Sequence, residues 1–225
     1  MKQHRTQRAA AGALVLLLGT CGGWLGCGSS EEALKRSAGF YTEGLANLDG
    51  DRQKAFVSFQ RAIQENPNHR DAHYYAGHIY ALQGKYKSAE GEFREAVRID
   101  PDYSEAHNYL GQVLKEQDRW QEAISAYRRA LANPLYATPD VARVNLGRAL
   151  ARQGDMQGAA EAFEDALLVR PPNVSLALVH LELGRAYYRL GYDAKARDLL
   201  TRVSALDKDG PYAAEAAGLL ERLKP

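Results

Sequence analysis

The chain is organised by pairs of helix-period segments. In one segment His73, Ala76, Gly77 and Tyr80 lie at i, i+3, i+4 and i+7; in the next, Ala89, Phe93 and Ala96 keep the same kind of spacing. Such offsets gather residues on one face of a helix. The pair recurs with a period near 34. Ala55, Phe59, Ala62 and Pro67 are followed by Ala89, Phe93, Ala96 and Pro101, then by Ala123, Tyr127, Ala130 and a displaced Pro134, then by Ala159, Phe163, Ala166 and Pro171. Gly77, Gly111, Gly147 and Gly184 form a second series, with Tyr80, Leu114, Leu150 and Tyr187 three residues further on. Two helices per unit are therefore expected. Small residues at Gly77 and Ala89 let two backbones approach, and Tyr80 and Phe93 fill the space beside them. Gly84, Gly154 and Gly191 are placed to end the first helix in a left-handed residue, and Pro67, Pro101 and Pro171 to stop the second.

These positions resemble the tetratricopeptide repeat, and the resemblance runs over about residues 34 to 208. It implies an all-α fold, a superhelical solenoid of antiparallel helix pairs. Within a repeat domain at 34–210, five units are expected at about 36–69, 70–103, 104–137, 140–173 and 177–210. The first departs from the pattern, with Glu43 where a glycine is usual; the fifth has Leu200 and Val203 where an aromatic residue and alanine are usual. In the last segment, 211–225, an amphipathic stretch from Pro211 to Leu223 either caps the solenoid or begins a truncated sixth unit, since exposed repeat ends need a cap.

At the other end, Lys2, Arg5 and Arg8 precede an uncharged stretch, Ala9 to Ser30, whose apolar centre is residues 13–18. This is the layout of an export signal. A stretch of this length also suits a retained membrane anchor, although Gly19, Gly22, Gly23, Gly26 and Gly28 weaken it as a helix. Trp24-Leu25-Gly26-Cys27 resembles a bacterial lipoprotein signal, with Leu18-Gly19-Thr20-Cys21 as the competing position. The resemblance implies a signal peptide at 1–26, lipidation of Cys27 and a lipid-anchored linker at 27–33. Gly28 and Ser29 follow Cys27, so the aspartate that retains such proteins at the inner membrane is absent. The implied location is the outer membrane, facing the periplasm.

Composition narrows the chemistry. With 25% charged and 45% apolar residues, the chain suits a folded soluble body. Its formal net charge is +1, and 26 basic against 28 acidic residues remain after residue 26. That balance argues against a nucleic-acid partner. Cys21 and Cys27 are the only cysteines, so the repeats hold no thiol nucleophile, disulfide or thiolate zinc site. His69, His73 and His78 are close in sequence but lack the H-E-x-x-H arrangement. His73, His107 and His180 share one repeat position, which favours packing over metal binding. There is no phosphate loop, nucleophile elbow or calcium loop, and Glu161, Glu164 and Asp165 read as a solvated helix face. Asn173-Val174-Ser175 is a glycosylation acceptor in form only. The expectation is a non-catalytic protein with no metal, cofactor or small-molecule substrate.

What remains is the groove that such repeats line with the first helix of each unit. The resemblance places Tyr74, His78, Asn108, Gln112, Val144, Arg148, Leu181 and Arg185 inward, with Tyr188 and Arg189 on the last turn. Arginine and tyrosine suit a protein interface; the same arginines also suit simple solvation of the groove. Between units three and four, Asn133-Pro134-Leu135-Tyr136-Ala137-Thr138-Pro139 lengthens the repeat by two residues, and its prolines hold Leu135 and Tyr136 outward or against a neighbouring helix. The lipoprotein-like start, the solenoid and this loop together resemble the pilotin lipoproteins of type IV pilus biogenesis. That resemblance implies an adaptor that binds secretin subunits and promotes their targeting and oligomerisation. The alternative is a general periplasmic scaffold for peptidoglycan enzymes or outer-membrane protein assembly.

Overall fold

The computed structural model describes residues 30–223, and the signal segment with Cys21 and Cys27 lies outside them. The described residues form helices joined by short turns. The first unit holds α1 (Glu31–Asn47) and α2 (Arg52–Glu65), the second α3 (Arg70–Leu82) and α4 (Tyr86–Ile99). The third holds α5 (Ser104–Lys115) and α6 (Trp120–Ala132), the fourth α7 (Pro139–Arg152) and α8 (Met156–Leu167). The fifth holds α9 (Leu176–Arg189) and α10 (Asp193–Leu206), and α11 (Pro211–Arg222) follows.

Local chemistry sets the helix ends. Ser30 Oγ and Asp51 Oδ1 accept backbone N–H groups at the starts of α1 and α2, at 3.2 and 2.9 Å, and Asp155 Oδ1 does the same for α8 at 2.8 Å. Pro139 and Pro211 open α7 and α11, where a missing N–H costs nothing. Gly84, Gly154 and Gly191 have φ of 72°, 89° and 78° and end the first helices of units two, four and five, as their spacing predicts. In unit three Asp118, at φ 58°, takes that turn instead. Pro67 and Pro101 follow α2 and α4 by two residues, whereas α8 ends at Leu167, well before Pro171.

One packing step is repeated along the stack. A β-carbon placed on Gly77, Gly111 or Gly147 would lie 3.0, 2.5 or 2.6 Å from the ring of Phe93, Tyr127 or Phe163 in the partner helix. At Gly111 and Gly147 no side chain fits without moving the ring, and at Gly77 the fit is tight. Leu200 fills the same place against Gly184 at 3.0 Å. The first unit corrects the sequence reading: its glycine is Gly44, not the position of Glu43, and Gly44 meets Phe59 at 2.5 Å. From Gly44 to Phe59 is 15 residues, against 16 from Gly77 to Phe93 and in the later units, so a strict period lands one residue early.

Among the described residues the core runs in three parts: a small cluster around Ala55, Phe59, Ala76 and Ile79, a long one from Ala89 to Leu223, and a third of Ala130, Tyr136 and Ala142. His73 is buried between units, with Nδ1 2.7 Å from Glu92 Oε2 and Nε2 3.0 Å from the Pro67 carbonyl. Burial alone would lower its pKa, but the bonds to Glu92 and Pro67 outweigh it and raise the value. A fully buried carboxylate, Asp140, ties α7 to the next unit, accepting from the Asn173 N–H at 2.5 Å, Asn173 Nδ2 at 2.9 Å and the Val174 N–H at 3.1 Å.

The final helix stands where the first helix of a sixth unit would stand. Gly218 lies 34 residues after Gly184, yet a β-carbon there would meet nothing within 4 Å, because no second helix pairs with α11 among the described residues. α11 packs on α10 and reaches α9, burying Ala216 and Leu223. Asp207 Oδ2 accepts the Tyr212 and Ala213 N–H groups at its start, at 2.8 and 3.2 Å.

Candidate functional site

Successive first helices pack closely, α3 with α5, α5 with α7, α7 with α9 and α9 with α11, whereas second helices reach one another through long side chains, Gln60 to Glu92 and Arg94 to Glu122. The stack therefore curves toward the first helices, which line its concave side. Along this side the residue after each series glycine is the one left accessible: His78, Gln112, Arg148 and Arg185 are half-buried or exposed. The residue three before the glycine has a different fate. Tyr74 keeps a half-exposed ring, but Asn108, Val144 and Leu181 are buried. Those three were expected to face the groove and do not. Packing between neighbouring first helices covers them, and Asn108 accepts from Asn145 Nδ2 at 3.1 Å across the junction of units three and four.

At the N-terminal end the groove wall is aromatic. The Tyr74 ring lies 5.1 Å from Tyr75, 5.2 Å from Tyr103 and 5.6 Å from Tyr109. Tyr75 stacks on Phe59 at 5.2 Å, Phe93 on Tyr109 at 5.7 Å, and His78 meets Tyr109 edge-on at 5.1 Å. Burial pushes the phenols of Tyr74 and Tyr103 up. Burial, aided by the Arg52 charge, pushes His78 down, so its imidazole is neutral at pH 7. Tyr41, at the end of the cluster, is raised to about 12, mainly by burial.

At the C-terminal end the wall is charged and borders an open cavity of about 660 Å³. α7 contributes Arg148, Ala151 and Arg152; α9 contributes Glu182, Arg185, Tyr188 and Arg189; α11 contributes Glu215, Gly218, Leu219 and Arg222. Arg148, Arg185, Tyr188 and Arg189 were expected in a groove, and the structure brings all four to one cavity. Glu182, with a side chain only 13% exposed, is held from both sides: Arg148 donates to Oε1 at 2.8 Å and Arg185 approaches Oε2 at 3.2 Å. Arg185 also pairs with Glu215. The Arg152 guanidinium sits 5.7 Å from the Trp120 ring centroid. Arg189 and Arg222 have no carboxylate partner among the described residues.

The groove expected from the sequence left out Arg152, Glu182 and the residues of α11, although 211–223 was expected as a cap or a truncated sixth unit. The signals were present: Glu182 lies 34 residues after Arg148 and three before Arg185, and Gly218 continues the glycine series. The long loop, expected to hold Leu135 and Tyr136 outward or against a neighbouring helix, does one with each. Leu135 is 88% exposed, whereas Tyr136 is 7% exposed and packs with Ala130 and Ala142. Tyr136 is thus a packing residue, because the chain turns back at Asn133, whose Oδ1 accepts the Leu135 N–H at 2.9 Å, and lays the next ring on α6 and α7. No group of three or more His, Cys, Asp or Glu suited to a metal ion occurs among the described residues.

Two tetratricopeptide-repeat family models match the chain, one over residues 46–113 and 80–135, the other over 110–175 and 144–213. No curated protein matches it in sequence. Among solved structures it is similar to PilF of Pseudomonas aeruginosa, at 24% identity and TM-score 0.66, over 87% of this chain and 95% of that one. It is similar to PilW, a type IV pilus biogenesis factor, at 25% identity and TM-score 0.64, over 75% of this chain and 76% of that one. It is also similar to YrrB, a TPR protein with an unusual peptide-binding site, at 22% identity and TM-score 0.69, over 83% of this chain and 95% of that one.

Proposed function

The chain belongs to the tetratricopeptide-repeat family, and from that premise we propose that it is a non-catalytic, pilotin-like adaptor of the outer membrane that binds secretin subunits and promotes their assembly for type IV pili. The observation that carries this reading is the near end-to-end likeness to PilF, 95% of that chain, in a protein whose start resembles a lipoprotein signal. At 24% identity the likeness concerns the fold, so the secretin is a proposal.

In this reading Cys27 is lipidated and residues 27–33 form the tether. Two or more acyl chains hold far more firmly than one. A secretin segment lies along the first-helix groove, against Tyr74, His78 and Gln112 at one end and Arg148, Arg185, Tyr188 and Arg189 at the other. The exposed Leu135 gives a second contact. The adaptor does no chemistry. Its effect is to raise the local concentration of secretin subunits at the membrane.

Deletion of the gene is expected to remove heat- and detergent-resistant secretin multimers from the outer membrane, with unmodified multimers at normal level overturning the reading. Mass spectrometry of the mature N-terminus tests the anchor; an unacylated Cys27 on the cleaved protein would refute it. Crosslinked cell-wall enzymes or barrel-assembly subunits, with pili unaffected, would favour the general scaffold instead.

A further inference from the structure

We propose that the cavity between α7, α9 and α11 is a seat for an acidic segment of a protein partner, with Arg189 and Arg222 taking its carboxylates and α11 acting as one wall of the site.

The charges argue this first. The cavity is lined by five arginines and two glutamates, and the glutamates are already spent: Glu182 on Arg148 and Arg185, Glu215 on Arg185. The protein thus seats one carboxylate of its own between two guanidinium groups, in the geometry a ligand carboxylate would use. Arg189 and Arg222 reach the same cavity from α9 and α11 with no such partner among the described residues. A planar guanidinium suits a carboxylate through paired N–H donors. Meanwhile Ala151, Tyr188 and Leu219 supply apolar wall for the stem of a side chain.

Size and context point to a peptide. About 660 Å³ is within the range of specific ligand sites. The formal net charge of the whole chain is only +1, so this excess is local and not one end of a basic surface. A nucleic-acid backbone needs a continuous basic track, and here Glu182 and Glu215 interrupt it. The last helix bordering the cavity is the unpaired α11, which gives the truncated sixth unit a role beyond covering apolar surface.

The inference deepens the adaptor reading and rests on it only for which partner supplies the segment. The full-length protein in detergent is titrated with a fluorescent peptide alternating Glu and Ala, with its Gln counterpart and with a single-stranded oligonucleotide. The acidic peptide should bind, more weakly as salt is added, and the Gln peptide should not. In the double variant Arg189→Gln, Arg222→Gln, both sites being exposed and outside the core, its affinity should fall about tenfold or more. Arg128→Gln, on the exposed face of α6, should leave it unchanged, and Glu182→Gln should tighten it several-fold by releasing Arg148 and leaving Arg185 with Glu215 alone. Equal binding of the Gln peptide, wild-type affinity in the double variant, or tighter binding of the oligonucleotide would overturn the proposal. In cells, normal secretin multimers in the double variant but not in the deletion strain would overturn the cavity's part in assembly while leaving the adaptor. Normal multimers in both would overturn the adaptor while the titration still stands.

Discussion

The two ends of the groove are built on one backbone plan and finished in different chemistry. At the N-terminal end, Tyr74, Tyr75, Tyr103, Tyr109 and His78 make a wall of rings. At the C-terminal end the same face of the first helices carries Arg148, Glu182, Arg185 and Arg189. The glycine-to-large-residue step beneath them hardly changes, from Gly44 and Phe59 to Gly184 and Leu200. The stack therefore depends on a buried step that tolerates little, and the accessible positions beside it are free to specify a partner. One end offers apolar, stacking contact that salt barely touches; the other offers charge that salt screens.

The contrast can be broken hardest in the rings. Phe93→Ala removes a fully buried ring that also supports Tyr74 and Tyr109, and it should cost about 3–5 kcal/mol in denaturant unfolding. A cost below about 1 kcal/mol would mean that the aromatic end is loosely packed. Between the two ends, Asp140→Ala strands the Asn173 and Val174 N–H groups and should cost about 2–3 kcal/mol.

His73 tests whether a buried polar contact in the aromatic half responds to pH. Its folded pKa is raised above the unfolded value of about 6.5. The stabilisation is then complete below that unfolded value and is lost as pH rises through the folded pKa. His73→Gln should accordingly cost more at pH values below about 6.5 than at alkaline pH, read as the shift in denaturant midpoint; a pH-independent cost would contradict the Glu92 contact.

The smallest effect has the opposite sign. The buried Tyr127 hydroxyl has no hydrogen-bond partner among the described residues, whereas Phe59, Phe93 and Phe163 occupy the same place in their units without a hydroxyl. Tyr127→Phe should leave thermal stability unchanged or raise it by up to about 1 kcal/mol. A clear loss would show that the hydroxyl is satisfied in solution.

Much of this was legible in the sequence because repetition amplifies weak signals. A single Gly77 says little, but Gly77, Gly111, Gly147 and Gly184 at matching offsets define two helices and the contact between them. The same regularity misled where the period slipped, at Gly44, which stands one residue closer in sequence to its ring than the other series glycines do. It also stopped too soon at α11, since Gly218 was not followed into the site. Periodicity cannot see depth: Asn108, Val144 and Leu181 share a register position with the half-exposed Tyr74, and only packing between neighbouring first helices covers them.

By itself, then, the sequence determined the helix pairs, their turns and the side of each helix that meets its partner, because these follow from local offsets of small and large residues. The tertiary structure decided which groove positions stay accessible, that Tyr136 turns inward while Leu135 does not, and that Glu182 stands between Arg148 and Arg185. Those depend on the curvature of the stack and on side chains from helices a full repeat apart, and no local spacing records either.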